Sequence, residues 1–128
     1  MKAMTTAAQM VLRLAALVAI VLGVLFWTGN ALGAPVLLHM GAGILIVLSL
    51  WLLALSGARA GVPAGLWTTA VFVGIVVPIL GFTQTQLLPG SAHWLVQVLH
   101  LLVGLTAIGL GEMLGARIRR AEAAPGTA

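Results

Sequence analysis

Apolar residues run almost unbroken through four stretches of this chain, residues 11–27, 36–55, 66–82 and 94–114. About 20 mostly apolar residues are needed for a helix to cross a bilayer, and each stretch is close to that length. The breaks between them carry turn chemistry: Thr28-Gly29-Asn30 with Gly33-Ala34-Pro35, Ser56-Gly57 through Gly61-Val62-Pro63, and Leu88-Pro89-Gly90-Ser91. Ser91 is placed to cap the fourth helix. The pattern predicts an all-α membrane protein, a four-transmembrane-helix up-down bundle forming one domain over residues 1–120. The tail, 121–128, reads as disordered.

The polar positions inside these stretches are few and ordered. In the fourth, His93, Gln97, His100, Gly104, Ala107, Gly111 and Gly115 recur at steps of three or four residues. They therefore share one stripe of a helix. A stripe of small and polar residues on an apolar helix faces protein or a cofactor, because lipid would leave the polar groups unsatisfied. The second stretch repeats the pattern in His39, Gly43, Ile46 and Leu50, with Gly41 beside them. Gly43 and Gly104 remove bulk next to His39 and His100, so that a flat macrocycle or another helix can approach. Gly111 and Gly115 read as a packing seam or a homodimer contact. Gly74, Pro78 and Gly81 predict a kink in the third helix.

Composition agrees with this picture and narrows the chemistry. The chain has 128 residues, is 62% hydrophobic and has a mean hydropathy of +1.20, values outside the range of soluble domains. Six Lys and Arg against two Glu give a net charge of +4. Lys2 and Arg13 precede or enter the first span, Arg59 lies between the second and third, and Arg117, Arg119 and Arg120 follow the fourth. The other two connections are uncharged. By the positive-inside rule both termini are cytoplasmic, in an inner (plasma) membrane crossed several times. The basic residues mark topology, not a nucleic-acid surface. A secretory signal peptide cleaved at Ala31-Leu32-Gly33 is the alternative for the first stretch; the reading keeps it as a helix.

With no Cys, disulfides, thiolate metal sites and covalent c-type haem are excluded. Proton-coupled export through a carboxylate in the middle of a span is disfavoured, because Glu112 and Glu122 both lie near or beyond a span end. Glu112 is expected to be solvated or near Arg117, and Arg13 to snorkel.

Three histidines remain. At about 1.5 Å per residue, His39 stands about 30 Å from Arg59, while His100 and His93 stand about 25 and 36 Å from Arg117. His39 is thus level with the other two near the outer face, and the more embedded His100 is its expected partner. Zinc would need three or four converging ligands, and a heptad separates His93 from His100. A single b-type haem needs only two axial imidazoles and an apolar slot. Polar groups near the interface would take its propionates, and His93, Gln97, Gln84 and Gln86 qualify.

With Leu38-His39-Met40-Gly41 opening the second span and Gln97-Val98-Leu99-His100 in the fourth, the chain resembles one four-helix half of the haem A synthases. The likeness covers the whole membrane region and rests on topology and histidine placement. It implies a haem held between the second and fourth helices. The Glu-x-x-His-Arg motif of that family's catalytic half is absent, since Val36 and Met40 stand at its outer positions. The haem-holding role carries over and the oxygenating role does not. Small membrane b-type cytochromes are a looser likeness. The leading expectation is an electron-transfer protein with haem b on His39 and His100, serving a quinone or a larger respiratory or oxidase complex. A haem-handling assembly subunit and a cofactor-free structural subunit are the alternatives.

Overall fold

A computed structural model describes residues 2–31 and 33–123. These form four helices, α1 (Lys2–Trp27), α2 (Val36–Arg59), α3 (Ala64–Thr83) and α4 (His93–Ala123), with a 3₁₀ turn at Gln84–Gln86 after α3. No strand occurs among the described residues.

The turn residues around α1, α2 and α3 act as expected, whereas Ser91 does not cap α4, which begins two residues later at His93, and its hydroxyl forms no hydrogen bond among the described residues. Pro35 and Pro63 sit just before α2 and α3 with ψ of 132° and 133°. There the missing N–H costs nothing and the fixed φ favours helix entry. α1 and α2 both end in the same way. Gly29 and Gly61 adopt φ of 73°, in the left-handed region that favours glycine. The following N–H groups turn back onto the last turn, Asn30 to the Leu25 carbonyl at 2.8 Å and Val62 to the Gly57 carbonyl at 2.9 Å. This is the Schellman arrangement, which satisfies carbonyls that a helix end leaves open.

Two boundaries differ from the sequence reading. α1 begins at Lys2 rather than near residue 11, and α4 continues to Ala123 rather than stopping near 114. The two extensions meet each other: Gln9 lies against Gly115 and is bonded by Arg119, and Ala8 and Ile118 are buried. Residues 121–123 are helical, whereas 124–128 and Leu32 of the cleavage alternative lie outside the described residues.

α2 and α4 each touch all three other helices, while α1 and α3 do not touch each other. The two histidine-bearing helices therefore form the central diagonal of the bundle. Consecutive helices joined by short turns run antiparallel, so α2 and α4 run parallel and begin at the same end. Leu12, Leu50, Leu53, Ala70, Ala107 and Leu114 fill the core with no exposed surface. The outward faces carry Leu37, Leu17 and Phe72, exposed by 75, 62 and 65%. All four helices are long and apolar enough to cross a membrane. Apolar exposure of this extent belongs against lipid, and the fold is that of a multi-pass membrane protein.

α3 stays one helix through Pro78. Two of the residues expected to kink it, Gly74 and Gly81, also serve as contact notches. Trp51 lies against Gly74, donating its indole N–H to the Val71 carbonyl at 3.3 Å, and Gly81 faces His100.

Glu112 and Arg13 also behave differently from expectation. Arg13 donates from Nε and Nη2 to the two carboxylate oxygens of Glu112, at 2.7 Å each. Gln9, buried in a notch at Gly115, donates to Glu112 at 3.2 Å, and Arg119 donates to the Gln9 Oε1. Glu112 is neither simply solvated nor paired with Arg117. The early start of α1 brings Gln9 and Arg13 onto the face of α4 that holds Glu112, Gly115 and Arg119.

Candidate functional site

The opposite end of the bundle holds the histidines. His39 lies one turn into α2 and His100 two turns into α4. Their ring centres are 6.1 Å apart with planes inclined at 50°. The other two helices seat the rings. A Cβ at Gly23 of α1 would come within 3.3 Å of His39 Cε1, and a Cβ at Gly81 of α3 within 3.3 Å of His100 Cε1. Any side chain at either position would press on an imidazole. Phe26 meets the His39 ring edge-on at 5.9 Å. All four helices thus contribute to placing two rings.

The Nδ1 atoms of both rings are buried and have no hydrogen-bond partner. A buried polar atom without a partner costs stability, and such atoms mark sites that a fold keeps for another purpose.

Beside the rings lies a partly open cavity of about 310 Å³, mostly between α1 and α4. That volume falls within the range of small-molecule sites. Its deep part is apolar, formed by Ala16, Ile20, Ile46, Leu105 and Ile108. Its other end is polar, formed by Gln84, Thr85, His93 and Gln97. A second hollow, between α1 and α2, is lined only by aliphatic residues and Gly41.

Of the site residues expected from sequence, His39, His93, Gln97, His100 and Gly104 line the cavity. Gly43 does not, and a Cβ at Gly43 or Gly104 would meet nothing within 4 Å. His100 is the histidine that reaches His39. His93 instead donates from Nδ1 to the Leu87 carbonyl at 3.1 Å, which leaves Nε2 for a ligand. Gln84 lines the cavity and Gln86 does not, while Thr85, not anticipated, does. The stripe on α4 faces inward along its length. Below Gly104, Ala107, Gly111 and Gly115 are buried, and α1 fills the last two notches with Leu12 and Gln9. That seam is packed within one chain.

Sequence reasoning missed Gly23 and the role of Gly81. Glycines were sought on the histidines' own helices, whereas the seats are on their neighbours. The available signal was a lone glycine among bulky residues in α1, and a glycine in α3 one turn after a proline.

Among the described residues no three His or Glu side chains converge as a metal-ligand group. An imidazole–metal bond is about 2 Å and the bonded nitrogen lies about 1 Å from the ring centre, so two rings on one metal have centres about 6 Å apart. The His39–His100 separation matches that distance. Compared with known protein families, characterised proteins and solved structures, the chain matches none.

Proposed function

We propose that the protein is a membrane b-type haem protein that takes the iron between His39 and His100 and passes electrons near one membrane face. The 6.1 Å separation of the two rings carries this reading. Two ligands suffice only for a metal that brings its other ligands with it, as a porphyrin does. The apolar cavity beside the rings and the two unpartnered Nδ1 atoms fit that demand. The likeness to a half of the haem A synthases points the same way.

Bound here, haem supplies reversible one-electron chemistry, and two imidazoles leave no iron position for oxygen. The chain's own residues do the rest. Gly23 and Gly81 leave the room in which the two rings sit. Ile20, Ile46, Leu105 and Ile108 exclude water. The distribution of basic residues supports cytoplasmic termini, and so puts the histidines near the outer face of a plasma membrane. Quinone or a larger respiratory or oxidase complex is the partner class.

Protein purified in detergent and titrated with haem should give a sharp Soret band, with narrow α and β bands on dithionite reduction. A broad, unsaturable spectrum of loosely associated haem would overturn the proposal. Gly81→Val, which pushes on the His100 ring, should weaken haem binding about 10- to 100-fold, the usual scale for disturbing a ligand's support. Gly43→Ala, in open space, should change affinity less than about twofold. Equal effects of the two substitutions would remove Gly81 as a seat.

The partly open cavity favours one second reading, a haem carrier that delivers its cofactor. Mixing the loaded protein with apo-myoglobin separates the two. Transfer within minutes supports delivery, and retention over hours supports electron transfer.

A further inference from the structure

The polar residues that line the cavity are gathered at one end, and their donors are unused. Gln84, Thr85 and Gln97 form no side-chain hydrogen bond among the described residues, and His93 spends only Nδ1, on Leu87. The rest of the lining is aliphatic, aromatic or glycine, apart from the paired His39 and His100. None of the six Lys and Arg is at this end: Lys2 and Arg13 lie in the first half of α1, Arg59 closes α2, and Arg117, Arg119 and Arg120 lie in the last part of α4.

We infer that Gln84, Thr85 and Gln97 form a carboxylate subsite that fixes which edge of the cavity's ligand faces the end of the bundle. The inference rests on the haem reading and goes beyond it, since two axial imidazoles alone leave a porphyrin free to turn about the line between them. A ligand with one apolar edge and one edge bearing carboxylates matches a cavity with the same division. The apolar edge belongs against Ile20, Ile46, Leu105 and Ile108, where a carboxylate would be buried without a partner. The acid edge belongs against the amide N–H groups of Gln84 and Gln97 and the Thr85 hydroxyl. Hydrogen bonds from neutral donors to a charged acceptor are stronger than those between neutral groups.

Titration with haem and with its dimethyl ester, which keeps the iron and the ring but blocks both carboxylates, tests this. The wild-type protein should bind free-acid haem at least about tenfold more tightly than the ester, the worth of one good hydrogen bond to a charged group. Both should give the same paired-imidazole spectrum. Gln97→Leu should shrink the preference towards unity. Gln97→Glu, which sets a carboxylate against the acid edge, should weaken free-acid haem and spare the ester. Equal affinities in the wild type, each with the paired-imidazole spectrum, would overturn the subsite and leave the haem reading standing. Absence of that spectrum with either compound would overturn both.

Discussion

Replacing His100 with glycine should lower haem affinity more than about 100-fold and abolish the narrow reduced α band. The size follows from position. Perturbing a residue that merely supports a metal ligand costs about 10- to 100-fold, and removing the ligand itself costs more. His39→Gly should do the same, because the third histidine does not stand in for either ring. His93 is held on the Leu87 carbonyl and does not pair with His39 in the fold. Free imidazole added to His100→Gly should restore the spectrum by entering the space the side chain leaves. That rescue also shows that the variant has folded. A His100→Gly protein with unchanged haem affinity and spectrum would contradict the assignment. If His93→Gly proved the damaging substitution, the wrong histidine would have been named.

Gly115→Ala should destabilise the fold by about 1–3 kcal/mol, in the range of overpacked cores. A Cβ at Gly115 would lie 2.2 Å from the Gln9 amide. A flexible side chain could often yield, but Gln9 is buried and its amide is bonded to Glu112 on one side and Arg119 on the other. Moving it breaks the only ionic network among the described residues, which ties α1 to α4. Gln9→Ala should relieve the clash, so the double variant should recover part of the loss. Contacting residues show coupling energies of about 0.5–3 kcal/mol. Thermal unfolding in detergent, followed by circular dichroism, measures all four proteins. If Gly115→Ala unfolds like wild type, or Gln9→Ala adds its full cost, the α1–α4 seam is not packed as described. The haem spectrum of Gly115→Ala should keep its shape, because the seam lies at the end away from the histidines.

Much of this fold was legible because a membrane helix can be read from a run of apolar residues and a turn from Gly and Pro. The stripe from His93 to Gly115 gave the inward face of α4 correctly, since three- and four-residue spacing fixes which side chains share a face. His39 and His100 were legible as a pair because depth set His39 level with the midpoint between His93 and His100, and His100 is the more embedded of those two. What spacing on one helix does not encode is which residue of a neighbouring helix lies opposite. Gly23 and Gly81 matter only because α1 and α3 flank the central α2–α4 diagonal, and that arrangement is set by packing of the whole bundle. The same limit hid the Arg13–Glu112 pair. Hydropathy read Gln9 and Arg13 as the approach to a span. In the fold they are part of α1, satisfied by polar groups on α4 far away in sequence.

Electron paramagnetic resonance of the oxidised, haem-loaded protein at low temperature tests most directly whether two imidazoles share one iron. The account predicts a low-spin ferric signal of the bis-imidazole type, unchanged in His93→Gly and lost in both His39→Gly and His100→Gly. A high-spin signal from the wild-type protein, or a low-spin signal that survives removal of His39 or His100, would contradict it.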